Sequence, residues 1–224
     1  MFARPALLLA LFLTPTTASS QPLAVPDVGP VGVGYFFHRT LRDIELPDGS
    51  TFNTSWTRAG LLIHGTLAHR LVLMATGIYN PPDADPDFPG REYEGLGVGA
   101  GATAYPFISG PYRIGASGRY YRHIWHDQSV QRYDKIVNGT TLALQFERSF
   151  ASKSLSALAW IAPAYQKNHQ FEYPGVSPEL EVGSDDNFGV ILGASLVLWK
   201  HVTPYAQLEF LERTQTGVGV SYIF

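Results

Sequence analysis

Apolar and polar residues alternate with a period of two along most of this chain, in runs of about ten residues. The clearest run covers 187–199. Phe188, Val190, Leu192, Ala194, Leu196 and Leu198 fall on one face of it, and Gly189, Ile191, Gly193, Ser195 and Val197 on the other. In 93–107, Leu96, Val98, Ala100, Ala102 and Ala104 oppose Gly95, Gly97, Gly99, Gly101 and Thr103. In 140–150, Leu142, Leu144 and Phe146 oppose Thr141, Ala143, Gln145 and Glu147. In 112–125, Tyr112, Ile114, Ala116 and Tyr120 oppose Arg113, Ser117, Arg119, Tyr121 and His123. The segments 32–40, 55–67, 70–79, 154–167, 204–212 and 217–224 are also strand-like, 70–79 with weak alternation. The pattern predicts ten strands, or eight if the third or seventh segment is miscounted. No run competes as a helix of ten or more residues, and no later stretch reaches the roughly 18 consecutive apolar residues of a spanning helix.

The connections add a second regularity. Those at 68–69, 108–111, 151–153 and 200–203 are short, whereas those at 42–50, 80–92, 127–139 and 171–186 are long and polar. A long-short rhythm with an even strand number suits a closed antiparallel barrel of a bacterial outer membrane, with short periplasmic turns and longer external loops. Soluble sandwiches and cups also alternate, and alternation does not say which face is inside. Two further features favour an inside-out arrangement. Residues 1–20 read as a secretory signal, with Arg4 before the apolar run PALLLALFL and small residues before a cleavage site after Ser20 (after Ala18 is also acceptable). This leaves 21–28 as a periplasmic N-terminal segment and 29–224 as the barrel domain. Only 16% of residues are charged, against about 25% in a soluble domain.

Charge and cysteine content then exclude whole classes. A net charge of −3 offers no footprint for nucleic acid. The absence of Cys removes disulfides, thiolate metal sites and a lipid-modified N-terminal Cys.

The chain ends GVGVSYIF, with Val218, Val220, Tyr222 and the final Phe224 at every second position. This resembles the C-terminal signature of bacterial outer-membrane β-barrel proteins. The preceding VTPYAQLEFLE is similar to the penultimate strand of small OmpA- or OmpW-like barrels. The resemblance covers the mature chain in pattern, but only its last 20 or so residues in motif. It implies an integral protein of the Gram-negative cell envelope, surrounded by outer-membrane lipid and lipopolysaccharide. It also implies that Val218, Val220, Tyr222 and Phe224 face lipid and present an insertion signal to the barrel-assembly machinery.

With the apolar face toward lipid, the lumen is expected to carry Arg58, His64, Arg113, Arg119, His123, Glu147, Gln207 and Glu209, as a polar network or a pore lining. Arg113 and Glu147 are placed on neighbouring strands near a periplasmic turn, where opposite charges pair across the ladder. Three Arg against two Glu would make an open pore mildly anion-preferring. Glycines at 32, 34, 95, 97, 99, 101, 189, 193, 217 and 219 suit sharp curvature or, as the alternative, a wider half-lumen.

Chemistry-bearing motifs are scarce. No G-x-S-x-G, P-loop or H-E-x-x-H is present, the seven histidines lack ligand spacing, and no metal site or cofactor is expected. Asp83, Asp85 and Asp87 lie at an external rim, but the Asp-x-His pair of outer-membrane aspartyl-type proteases and the His-x-Ser pair of lipid A deacylases are both missing. The reading is therefore a non-enzymatic narrow channel or a structural, surface-displayed barrel, with an unknown small solute or surface ligand. The alternatives are a rim hydrolase acting on lipid or peptide, and an adhesion or receptor scaffold binding through its external loops.

Overall fold

A computed structural model describes residues 31–45, 51–67, 70–84, 92–127, 134–151, 156–173, 180–211 and 214–224. The signal and N-terminal segments, with Asp85 and Asp87, lie outside them. The described residues form ten strands: β1 (Val31–Glu45), β2 (Thr51–Leu67), β3 (Leu71–Ala84), β4 (Glu92–Ser109), β5 (Tyr112–Asp127), β6 (Asp134–Ala151), β7 (Ser156–Tyr173), β8 (Leu180–Val197), β9 (Val202–Phe210) and β10 (Thr214–Ile223). Each pairs antiparallel with its sequence neighbour, and β10 returns to β1 to close the sheet into a barrel. The seam runs from Gly32↔Ile223 to Leu41↔Thr214. Closure leaves the spanning sheet no open edge, the condition for a sheet to sit in hydrocarbon. The count is ten; the eight-stranded alternative falls, because both β3 and β7 are full members of the ladder.

Both ends of the described chain and the connections 68–70, 110–111, 152–155 and 198–201 share one end of the barrel. At the other end the strands run several residues further than alternation suggests. The long connections accordingly contract to 46–50, 85–91, 128–133 and 174–179, and the fifth, 211–213, is itself short.

Outward residues form an apolar belt. Between Arg70, Arg148 and Lys200 at the turn end and Arg39, Glu94, Arg122 and Lys167 at the far end, no described residue that faces outward is charged. Leu96, Val98, Leu61, Leu142 and Ile161 are among its most exposed members. On β5 the belt runs from Tyr112 to Tyr120, about 27 Å along a strand. At a tilt of about 40° that is about 20 Å of height, near the ~25 Å band of such barrels. Aromatic residues flank it. Phe107, Tyr112, Phe150, Trp199, Tyr222 and Phe224 lie at the turn end, and Tyr79, Tyr120, Phe188 and Phe210 toward the other. Tyr79 and Tyr120 donate their hydroxyls to Glu94 (2.9 Å) and Asn138 (3.2 Å), where the belt gives way to polar residues.

Prolines set two irregularities. A proline supplies no N–H to the ladder and is tolerated in strands at bulges. The register shifts at Pro81–Pro82 on β3 and at Pro106 on β4. The second shift turns Phe107 outward, although strict alternation from Ala104 would place it inside.

Candidate functional site: the barrel lumen

Inward residues of the strands meet in the lumen, and each of the eight expected there is buried or, for Arg113, nearly so. They divide into separate groups. Near the turn end, Arg113 and Glu147 are cross-strand partners in the β5–β6 register and form an ion pair of 2.6 Å. Glu147 also accepts hydrogen bonds from Tyr105 Oη (2.6 Å) and Gln145 Nε2 (2.7 Å). Ser117 donates to Gln145 Oε1 (2.7 Å) and shares a hydrogen bond with Thr103 (3.1 Å). The Arg113 guanidinium lies over the Tyr105 ring at 4.7 Å, a cation–π contact.

A second group occupies the middle. Arg58 stands opposite His38 in the β1–β2 register and lies over the Trp125 ring at 5.0 Å. Arg119 is attracted electrostatically to Glu209, which accepts a hydrogen bond from Gln207 Nε2 (2.5 Å). His123 contacts Asn80 (3.4 Å) and packs edge-on to Tyr121. Tyr121 in turn donates to Asn168 Oδ1 (2.5 Å) and accepts from Gln166 (3.1 Å). His64 belongs to neither group: it hydrogen-bonds Ser221 Oγ of β10 at 2.7 Å, reaching across β1.

Alternation alone misses the apolar share of the interior. Phe36, Leu62, Val72, Met74, Leu158, Trp160, Ala162 and Ile191 are packed together inside, joined by Tyr105 and Tyr205. Where both faces of a strand are apolar the period-two signal fades, which explains the weak pattern of 70–79.

Eight inward glycines have a more specific role than curvature or a wide half-lumen. Each of them stands directly across the ladder from a bulky side chain that lies over it, whereas a Cβ at Gly34, Gly95 or Gly189 would first meet backbone. Phe36 covers Gly60 and His64 covers Gly32. His123 covers Gly97 and Arg119 covers Gly101. Tyr121 covers Gly139, Trp160 covers Gly193, His38 covers Gly217 and Tyr205 covers Gly219. A Cβ at any of these glycines would meet the covering side chain at less than ordinary contact distance. Glycine thus leaves room along the wall for a ring or the stem of an arginine, so that large residues fit inside a narrow cylinder.

The C-terminal residues Val218, Val220, Tyr222 and Phe224 line the outward face of β10, and Phe224 N–H bonds Val31 O (3.0 Å) at the seam. Asp83 is paired with Tyr93 at the far end of β3. Among the described residues no three His, Cys, Asp or Glu gather as a metal site would require.

No protein-family model matches the sequence, and no curated protein matches it either. Solved structures do match in shape. The β domain of the Bordetella autotransporter BrkA is 13% identical, covering 87% of this chain and 100% of that one, with a TM-score of 0.51. The translocator domain of the autotransporter NalP from Neisseria meningitidis is 12% identical, covering 87% and 88%, with a TM-score of 0.42. Neisserial surface protein A is 10% identical, covering 87% and 96%, with a TM-score of 0.40. At such identities the likeness is one of fold alone, and with its charge-free belt and closed ten-stranded ladder this chain has the fold of a bacterial outer-membrane β-barrel.

Proposed function

We propose that this chain is an integral outer-membrane protein, inserted after export, whose lumen is occluded and whose role is structural or surface-displayed. The observation that carries this reading is the burial of the lumenal side chains. Gln145, Gln207, Glu209, His38, His123 and Tyr121 are each at most 2% accessible to water. A conduit for hydrated ions would leave its lining accessible, as in the water-filled lumen of wide porins. Here rings over glycines and the Arg113–Glu147 network fill that space. Outer-membrane lipid and lipopolysaccharide surround the belt in this reading, and the far-end connections are the surface offered to a partner.

Single-channel recording of the purified barrel in a planar bilayer tests it, and the expected record is silent. Discrete conductance steps would overturn occlusion, and an anion bias in them would assign Arg58, Arg113 and Arg119 to a pore lining.

The outward, apolar β10 face supports the further proposal that Phe224, Tyr222, Val220 and Val218 present the signal read by the assembly machinery. Deleting Phe224 is expected to lower the yield of membrane-inserted barrel sharply while leaving the inserted fraction as heat-resistant as the parent. Normal yields would remove the signal role.

A further inference from the structure

The outer wall at the turn end is concave where β5, β6 and β7 meet. A depression of about 590 Å³ is lined by Tyr112 and Ile114 of β5, Phe146, Arg148 and Phe150 of β6, and Ala159 and Ile161 of β7. Ala159, the small residue of the lining, stands beside Arg148 in the β6–β7 register. Ala157, beside Phe150, and Ala194, next to Ala159 on β8, continue the small side chains past the groove.

Arg148 stands at the rim of this groove. It faces outward two residues from Phe150 near the end of β6, and its guanidinium is held over the rings of Tyr112 (5.5 Å) and Phe150 (4.8 Å). Tyr112 follows immediately on the 110–111 turn, which sets Arg148 at the edge of the apolar belt, where lipid phosphates lie. Ser149 is tied to Pro111 by N–H (2.8 Å) and Oγ (3.2 Å) bonds to its carbonyl, so β6 and the turn form one support. The outward charges described at this end, Arg70, Arg148 and Lys200, are all cations, whereas the far end mixes Arg39, Arg122 and Lys167 with Glu94.

We infer that this groove is a binding site for one anionic phospholipid, its phosphate on Arg148 and an acyl chain along Ile114, Phe146, Ala159 and Ile161. The inference rests on the outer-membrane reading above. Continuity with the lipid-facing belt selects a lipid as the occupant, and the cationic rim selects an anionic headgroup.

Native mass spectrometry of the protein purified from membranes in detergent, offered phosphatidylglycerol and phosphatidylcholine at equal concentration, tests the site. Phosphatidylglycerol is expected to be retained about fivefold over phosphatidylcholine, the factor one juxtamembrane cation contributes. Arg148→Gln should bring the two lipids to parity, and Arg70→Gln, outside the groove, should leave the ratio unchanged. Ala159→Leu should abolish the preference with Arg148 still in place. Equal retention by the parent protein, or a preference that survives Arg148→Gln, overturns the site. Insertion into vesicles of the same two lipids separates the two readings. A barrel that inserts but retains both lipids equally loses only this site, whereas one that inserts into neither loses the outer-membrane reading as well.

Discussion

Replacing Glu147 by alanine is expected to destabilise the folded barrel by about 3–5 kcal/mol, the usual cost of removing one partner of a buried ion pair. Glu147 is 3% exposed, and its two oxygens receive Arg113, Tyr105 Oη and Gln145 Nε2 within 2.6–2.7 Å. Without the carboxylate, the Arg113 guanidinium keeps its place over the Tyr105 ring but loses its counter-charge in a low-dielectric interior. Tyr105 and Gln145 would each be left with a buried donor to satisfy. Glu147→Gln preserves the shape and should cost less, since it leaves an amide oxygen to accept those two bonds. Replacing Arg113 and Glu147 together by leucine should cost less than Glu147→Ala alone, because no charge is then left behind. Urea unfolding of the refolded protein in lipid vesicles measures all three, and adding the single Arg113→Leu and Glu147→Leu variants completes a cycle that isolates the pair term. A loss below about 1 kcal/mol for Glu147→Ala, the range of exposed pairs, would show that water reaches this end of the lumen.

Leu192→Arg is expected to cost about 2–4 kcal/mol, the penalty for a cation on the lipid face near the bilayer midplane. Leu192 lies outward in the middle of the apolar run of β8 from Phe188 to Leu196, flanked across the ladder by Ile161 and Leu208. Its neighbour Ile191 points inward and is fully buried. The charge would have to reach an interface along a wall of apolar side chains, or thin the bilayer around it. The same vesicle unfolding reads the effect, with Phe188→Arg, nearer the far-end girdle, as the shallow control expected to cost about 0–1 kcal/mol. A negligible cost at Leu192 would reverse the assignment of faces, and with it the membrane reading.

Strand number and order were legible because hydrocarbon imposes one demand on every outward position. Phe188, Val190, Leu192 and Leu196 answer it without reference to any particular neighbour. That demand ends where the belt ends. Beyond it, stretches such as 42–45, 171–173 and 180–186 are still strand, yet no apolar face marks them, so they read as loop. Pro106 shows a different limit. The register shift beside it moves Phe107 to the outer face, and alternation counted through the bulge misplaces that residue.

The candidate site was legible by composition and not by contact. Arg58, His64, Arg113, Arg119, His123, Glu147, Gln207 and Glu209 can be picked out as inward by parity alone. Arg113 and Glu147 could also be matched, because a two-residue turn joins β4 to β5 and a short one joins β6 to β7, leaving both near the same end. Elsewhere the partner depends on register between strands joined by long connections, or joined only by closure. His64 meets Ser221 from 157 positions away because β10 closes on β1. Likewise, whether a glycine is a bend or a berth depends on the residue across the ladder. Gly193 is a berth because Trp160 stands opposite it, and Gly217 because His38 does.

The sequence by itself determined the topology, the outward face and the identity of the inward polar residues, since each follows from a uniform solvent acting on single positions. Which inward residues touch, and how deeply each is buried, was decided only by the closed barrel. Those facts are pairwise, set by the stagger of ten strands around a common axis, and no periodicity along one strand encodes that stagger.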